Sequence, residues 1–271
     1  MKIIDAHIHF RPDFDAFSQI AKGVGHENSE KYVKEIFEKN SIVHAVVMGN
    51  GDLSLEKHQY PDFMSYCVGL DSNCFFKEHP VEYYIEMTEK HFQQKNCVGL
   101  KLYPGYCHYY IFDKIYEPFY ALAKKYNKPV AVHTGATSRA EALLKYSHPL
   151  TLDETAVKYP DIQFVMCHFG NPFLSEAAAV AEKNPNVAID ISGILEGNFN
   201  VESFFAESSF YIETLKSWLS YTGGWNKMMY GTDFPIVNIE KYLEFAKRII
   251  PEKYHEKVFY ENAKRIYGLD V

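Results

Sequence analysis

The segment KIIDAHIH, residues 2–9, joins a short apolar run to two histidines near the start of the chain. It has three interpretations: a charged targeting peptide, an ordinary first β-strand, or one half of a metal site. A secretory signal is not expected, because Asp5, His7 and His9 interrupt the apolar stretch that such a signal needs. The choice between the other two depends on whether later segments supply further ligands.

Seven more apolar runs of this kind follow, and each ends in polar or turn residues. The runs are nearly continuous rather than alternating, which is typical of parallel strands covered on both faces. They are IVHAVVMG (42–49), YCVGLD (66–71), CVGLKLY (97–103), PVAVHT (129–134), QFVMCHF (163–169), NVAIDIS (186–192) and KMMYGTD (227–233).

Segments with helical character separate these runs. The segment 29–39 places Val33, Ile36 and Phe37 on one face and charged residues on the other. Eight strand–helix units predict an α/β fold, namely a regular or distorted (β/α)8 TIM barrel. We expect this barrel to be one domain over residues 1–271. A doubly wound open sheet is the alternative, but no GxGxxG loop follows a strand. The other helical segments are 81–93, 112–126, 152–159, 175–183, 239–249 and 254–267.

One segment, 196–225, is too long for a simple turn and helix. We expect an enlarged loop after the seventh strand, containing a helix that would cap or gate a pocket.

Composition narrows the class of protein. The 271 residues are 47% hydrophobic and 23% charged, as in an ordinary globular protein, and the net charge of −7 argues against nucleic-acid binding. The sequence contains no run of eighteen apolar residues, so a membrane span is not expected. The odd set of cysteines fits neither a disulfide framework nor a zinc site, so buried reduced thiols in a cytoplasmic protein are expected. These cysteines are Cys67, Cys74, Cys97, Cys107 and Cys167.

Polar residues recur where the predicted strands end. In a parallel barrel the carboxyl ends of the strands meet at one face, where active sites form. Each residue alone has an ordinary structural reading: a hydrogen-bonded core histidine, a packed lysine, or a turn aspartate before Pro235. Together they predict a site. The residues are His7, His9, Lys101, His133, His168 and Asp233.

The ligand types in this set point to a transition metal. His7 and His9 are two residues apart on a strand, so their side chains point to the same face. With His133 and Asp233 they form a set of three imidazoles and one carboxylate, which suits Zn²⁺ with one position left for water. Manganese or iron would accept the same ligands.

Such a site predicts hydrolytic chemistry. A metal lowers the pKa of its bound water enough to supply a nucleophile at neutral pH. Asp233 is placed to accept the proton of that water, and His168 to polarise the substrate or protonate the leaving group.

The combination DAHIH, VHTG, CHFGNP and YGTDFP resembles the amidohydrolase superfamily, over almost the whole chain. It looks most like the amidohydrolase-related branch that contains aminocarboxymuconate semialdehyde decarboxylase. The resemblance implies that His7, His9, His133 and Asp233 bind the metal. It also implies that His168 acts in catalysis or joins a second metal site.

Lys101 has two interpretations. The segment GLKLYPGY, residues 99–106, is similar to dihydroorotases, in which a carbamylated lysine bridges two metals. The branch named above generally holds one metal, and Lys101 would then contact substrate or pack locally. We therefore expect one metal per chain, or two if Lys101 is carbamylated.

Three functions are compatible with this pattern. The first is a metal-dependent hydrolase of a small-molecule amide, lactone or ester. The second is a non-oxidative decarboxylase of an aromatic or unsaturated acid, with Lys101 or Arg11 as carboxylate anchor. The third is a non-catalytic metal-binding barrel. Tyr103 and neighbouring tyrosines are candidates for a pocket wall, the expected partner is a small-molecule substrate, and a homo-oligomer is left open.

Overall fold

Eight parallel β-strands, paired in their order along the chain, form the centre of the molecule. The structure is a computed structural model that describes residues 1–49, 51–72, 75 and 78–271. The predicted TIM barrel is confirmed. The strands are β1 (Ile3–Ile8), β2 (Ile42–Met48), β3 (Met64–Leu70), β4 (Cys97–Leu102), β5 (Val130–His133), β6 (Phe164–Cys167), β7 (Val187–Asp190) and β8 (Met228–Met229).

The barrel closes where the chain after β8 meets β1. The Ala6 amide donates to the Tyr230 carbonyl at 2.9 Å, and the Asp233 amide donates to the His7 carbonyl at 2.8 Å. These bonds pair the last strand with the first, so the alternative of an open doubly wound sheet is wrong.

Helices connect the strands and cover the outside of the barrel. The predicted insertion after β7 contains two of them, α9 and α10, and the predicted last helix is a 3-10 turn (Glu252–Tyr254), a π turn (Lys257–Glu261) and α12. The helices are α1 (Asp15–Gly23), α2 (Glu30–Lys39), α3 (Val81–Phe92), α4 (Pro104–Cys107), α5 (Glu117–Tyr126), α6 (Leu144–Ser147), α7 (Leu150–Lys158), α8 (Leu174–Lys183), α9 (Val201–Glu207), α10 (Ser209–Tyr221), α11 (Ile239–Ile249) and α12 (Asn262–Tyr267).

Several helices begin at a polar side chain that caps them. Ser29, Asn200 and Asn238 accept a hydrogen bond from the backbone amide three residues later, at the start of α2, α9 and α11. Such a cap satisfies one of the amides that a helix leaves unpaired, and its loss costs about 1 kcal/mol. α2 and α11 begin within one residue of the predicted segments 29–39 and 239–249.

The strands alternate between two buried layers. Ala131, Val165 and Ala188 belong to the cluster inside the barrel, whereas their strand neighbours belong to the cluster between the sheet and the helices. Because side chains alternate along a strand, the residues two positions after Ala131 and Ala188 also face inward. These are His133 and Asp190, at the carboxyl ends of β5 and β7.

A register shift in β1 directs the first two histidines. Ile4 belongs to the inner cluster, but Ile8 belongs to the outer one, and the pairing with β2 shifts between Asp5 and Ile8. An irregularity of this kind changes which positions face a given side. His7 and His9 therefore flank an outward-facing residue and share the inner face.

The cysteines of the described part are free thiols. Cys67, Cys97 and Cys167 are buried as expected, whereas Cys107 is only half-buried. Cys74 lies outside the described residues. Within the described chain, every helix is too short or too polar to cross a membrane.

Gly231 lies where the chain after β8 passes β1, and a Cβ there would lie 2.9 Å from the His7 Cβ and 3.1 Å from its amide nitrogen. We expect Gly231→Ala to lower the free energy of unfolding by about 1–3 kcal/mol, the cost of overpacking a core. Denaturant titration measures this change.

Gly23→Ala is the matched control, because Gly23 ends α1 with open space around its Cβ position. A helical Ala is favoured over Gly, so the control should be neutral or slightly stabilising. Equal losses for the two variants would contradict this account of the closure.

Candidate active site

The structure brings the predicted site residues to one end of the barrel. His7 and His9 come from β1 and the turn after it, and His133 ends β5. His168 follows β6 and Asp233 follows β8, both with positive φ, of 62° and 65°. These left-handed turns redirect the chain directly at the strand ends.

Three of these residues form a tight group. Asp233 Oδ1 lies 3.4 Å from His7 Nε2 and 3.2 Å from His9 Nε2. One ligand atom from each residue lies within 4.8 Å of the others, a spacing that one metal ion could span. His7 is fully buried, whereas the His9 side chain is 21% exposed, so the group opens to solvent on one side.

His133 and His168 form a second group beside the first. His168 Nε2 lies 3.1 Å from His133 Nδ1, and the His7 and His168 ring centroids are 4.8 Å apart. Asp233 Oδ2 is 3.9 Å from His168 Nδ1. His133 is thus next to the group of His7, His9 and Asp233, with His168 between them.

The outer contacts of this pair determine which nitrogens carry protons. A carbonyl oxygen only accepts, so His133 Nε2 donates to the Ala136 carbonyl at 2.8 Å, and His168 Nδ1 donates to the Ser192 carbonyl at 3.1 Å. In their neutral forms both rings then present an unprotonated nitrogen to each other. Two acceptors face each other at 3.1 Å, and only a proton or another cation between them makes this favourable.

His7 and Asp233 present the same arrangement. His7 Nδ1 contacts the Asp190 carboxylate at 2.9 Å, so the proton of the ring lies there and Nε2 is an acceptor. His7 Nε2 and Asp233 Oδ1 are buried atoms without a hydrogen-bond partner in the described part of the chain. Buried unpartnered acceptors are costly, and a cation satisfies all of them at once. The nitrogen and oxygen donors therefore fit a metal ion such as zinc.

Burial and neighbouring charges shift the pKa values of these groups in the direction that a metal requires. Burial, with the Lys101 ammonium, lowers the pKa of His7 to about 3 and also lowers the pKa of His133. Burial alone would raise the pKa of Asp233, but the contacts with His7 and His9 outweigh this effect and lower the pKa. Neutral imidazoles and an ionised carboxylate are the ligand forms that bind metal.

Lys101 lies inside the barrel, fully buried. Its ammonium donates to Cys167 Sγ at 3.0 Å and lies 5.2 Å from the centre of the Tyr103 ring. The bridging role of a carbamylated Lys101 stays a prediction.

The two candidate substrate contacts differ in position. Tyr103 is buried, donates from its hydroxyl to the Met48 carbonyl at 3.2 Å and stacks 6.2 Å from the His133 ring. Tyr103 thus forms a wall beside His133. Arg11 pairs with Asp13 at 3.3 Å, on the loop after β1.

Sequence reasoning missed Asp190, although it ends β7 as the other candidates end their strands. It accepts hydrogen bonds from His7, from the His168 amide at 3.0 Å and from Ser192. Burial would raise its pKa, but the hydrogen bond from His7 and the nearby Lys101 ammonium outweigh that effect and lower the pKa. The inward alternation of β7 would have identified it.

Asp5 supports the turn that precedes Asp233. Its carboxylate accepts from the Thr232 amide at 2.9 Å and from the Thr232 hydroxyl at 2.7 Å. Burial raises its pKa to about 7 despite these bonds. Asp5 thereby holds the turn that carries Asp233 against β1.

Histidines and an aspartate lie together at the carboxyl ends of β1, β5, β6 and β8, the face at which TIM barrels form their active sites. The model of the amidohydrolase family matches residues 76–269. The chain therefore belongs to the amidohydrolase family of enzymes, and the resemblance found in the sequence is confirmed. The matched span contains His133, His168 and Asp233 and leaves out β1.

Individual proteins are similar to this chain in sequence or in fold. Protein fluG of Emericella nidulans is 34% identical over 90 residues, 33% of this chain but only 10% of that protein. The 2,6-dihydroxybenzoate decarboxylase from Rhizobium has a TM-score of 0.72 at 15% identity, with 100% of both chains covered. An amidohydrolase from Burkholderia multivorans with bound zinc has a TM-score of 0.71 at 13% identity, covering 99% of this chain and 100% of that one.

Because the acceptors of the site need a cation, zinc is expected to raise the unfolding temperature of chelator-treated protein by several degrees. A ligand that binds only the folded state adds about 2.7 kcal/mol at roughly a hundred times its Kd. Differential scanning calorimetry with and without zinc or manganese measures the shift.

His9→Ala should remove most of this stabilisation, whereas His79→Ala, at an exposed position, should keep it. A wild-type protein that no divalent metal stabilises would contradict the assignment of the site.

Proposed function

We propose that the protein is a metal-dependent hydrolase acting on a small-molecule amide, lactone or ester. The observation that carries this proposal is the convergence of unprotonated acceptors from His7, Asp233, His133 and His168 at a partly open end of the barrel. A structural metal site is normally closed to solvent, whereas a hydrolytic site keeps one coordination position open to water. The exposed edge of His9 supports the open form.

His7, His9, His133 and Asp233 would hold one divalent ion, with zinc the first candidate. When bound, the ion would lower the pKa of a coordinated water and polarise the scissile carbonyl. One ion per chain is favoured because the Lys101 ammonium is engaged with Cys167 rather than free to bridge a pair of ions.

Asp233 and His168 would handle the protons of the reaction. Asp233 Oδ2 lies 3.9 Å from His168 Nδ1, so the carboxylate and the ring flank the same end of the site. Asp233 would take the proton from the attacking water. His168, held at its other side by Ser192, would deliver a proton to the leaving group.

A decarboxylase is the second candidate. It needs a cation to anchor a carboxylate, but Lys101 is bound to Cys167 and Arg11 to Asp13. One rim cation favours it nevertheless. The Arg139 guanidinium, which contacts Glu141 and Ser72, lies 5.0 Å over the Tyr106 ring, and that ring packs 5.1 Å from the His133 ring. The hydrolase ranks first because the two predicted carboxylate anchors, Lys101 and Arg11, already contact other side chains of the protein.

The partner that the site supports is a small molecule. A homo-oligomer and a cytoplasmic location stay predictions.

We expect Asp233→Asn and His168→Gln each to lower kcat by about 10²–10⁴-fold, the usual contribution of a general acid or base. Asp161→Asn is the matched control, because Asp161 is an exposed residue paired with Lys124 on the outer surface. Turnover of lactones, esters and amides measures the effect. Unchanged turnover in Asp233→Asn would contradict the assignment.

Isotope labelling separates the candidate reactions. A hydrolase transfers oxygen from ¹⁸O-labelled water into the product carboxylate, whereas a decarboxylase releases CO₂ from an aromatic or unsaturated acid and leaves no new oxygen. Mass spectrometry of the products from both substrate panels is expected to show label incorporation. CO₂ release without label would replace the first candidate by the second, and metal binding without turnover of either panel would favour a non-catalytic barrel.

A further inference from the structure

The Asp190 carboxylate is fully buried and accepts four hydrogen bonds. Its Oδ2 contacts His7 Nδ1 at 2.9 Å. Its Oδ1 accepts from the His168 amide at 3.0 Å, the Ser192 amide at 3.1 Å and the Ser192 hydroxyl at 2.5 Å. One residue at the end of β7 is thus bonded to parts of the chain from β1 and β6.

These bonds determine where protons lie in the site. An ionised carboxylate only accepts, so the proton of His7 lies on Nδ1 and its Nε2 faces Asp233 as an acceptor. The Ser192 hydroxyl donates its hydrogen bond to Asp190, so the hydroxyl oxygen accepts a hydrogen bond from His168 Nδ1 at 3.0 Å. His168 then keeps its unprotonated nitrogen toward His133.

We propose that Asp190 is the positioning residue of the metal centre and sets its affinity by holding His7 in the form with Nε2 unprotonated. The proposal rests on the metal site of the proposed function and extends it to a residue that contacts His7 at Nδ1, whereas Asp233 faces His7 Nε2. A carboxylate behind a metal-binding histidine typically accounts for about 10–100-fold in metal affinity.

Asp190→Asn is a sharp test because the surroundings dictate how the new amide would lie. Three donors surround the Oδ1 position, so the amide oxygen would lie there and the amide NH₂ group would face His7. A donor at this place forces His7 to accept on Nδ1 and to carry its proton on Nε2. His7 would then be in the tautomer that cannot bind metal.

The affinity measurement uses a double-mutant cycle with His7. Competition with a chromophoric zinc chelator gives the zinc Kd of each purified variant. Asp190→Asn is expected to weaken zinc binding about 10–100-fold. In the His7→Ala background the same substitution should leave the Kd unchanged, because its route through His7 is gone. Equal losses in both backgrounds, or no loss in either, would overturn the proposal.

Histidine ¹⁵N NMR gives a readout that needs no metal. In the metal-free wild type His7 is expected with its proton on Nδ1, and in Asp190→Asn with its proton on Nε2. A wild-type His7 protonated on Nε2, or a tautomer that Asp190→Asn does not change, would refute the role. If Asp190→Asn does not fold, the wild-type spectrum alone decides.

Asp153→Asn is the matched control, an aspartate on α7 that accepts from Lys183 and Asn184 away from the site. It should change neither the zinc Kd nor the His7 spectrum. A wild type that binds no metal but shows the expected tautomers would contradict the proposed function while leaving the hydrogen-bond role of Asp190 intact.

Discussion

The closure of the barrel between the end of β8 and β1 is the constraint on which the site depends. The backbone bond from Asp233 to His7 and the two bonds from Thr232 to the Asp5 carboxylate join the opposite ends of the chain. They place the Asp233 carboxylate 3.4 Å from His7 Nε2. The seam that completes the fold therefore also assembles the site.

The site is defined by ring nitrogens and carboxylate oxygens that carry no proton. One ring nitrogen of His133 and one of His168 donate hydrogen bonds to backbone carbonyls, and His7 Nδ1 donates to the Asp190 carboxylate. The remaining nitrogens point toward one another and toward Asp233. Buried acceptors in such numbers are stable only around a positive charge. The hydrogen bonds around the site thus leave a cluster of unprotonated acceptors that a bound cation would stabilise.

Much of this was readable from sequence, for identifiable reasons. His133 follows a short apolar run and comes before Thr134 and Gly135, which predicts that it ends a strand, and the apolar face of 29–39 predicts α2. Asp190 was missed because Ile191 and Ser192 continue the run beyond the strand end. The sequence predicts one helix over 254–267 where the structure has 3-10 and π turns before α12, because the apolar spacing of these turns is close to that of an α-helix.

The sequence by itself determined the barrel, because eight apolar runs alternating with amphipathic segments have few other ways to bury both faces of a parallel sheet. It also determined which residue types reach the strand ends. Only the tertiary structure decided that Lys101 pairs with Cys167, that Arg11 pairs with Asp13 and that Asp190 lies behind His7. Such pairings join different strands and loops, and they depend on distances that exist only once the barrel has closed.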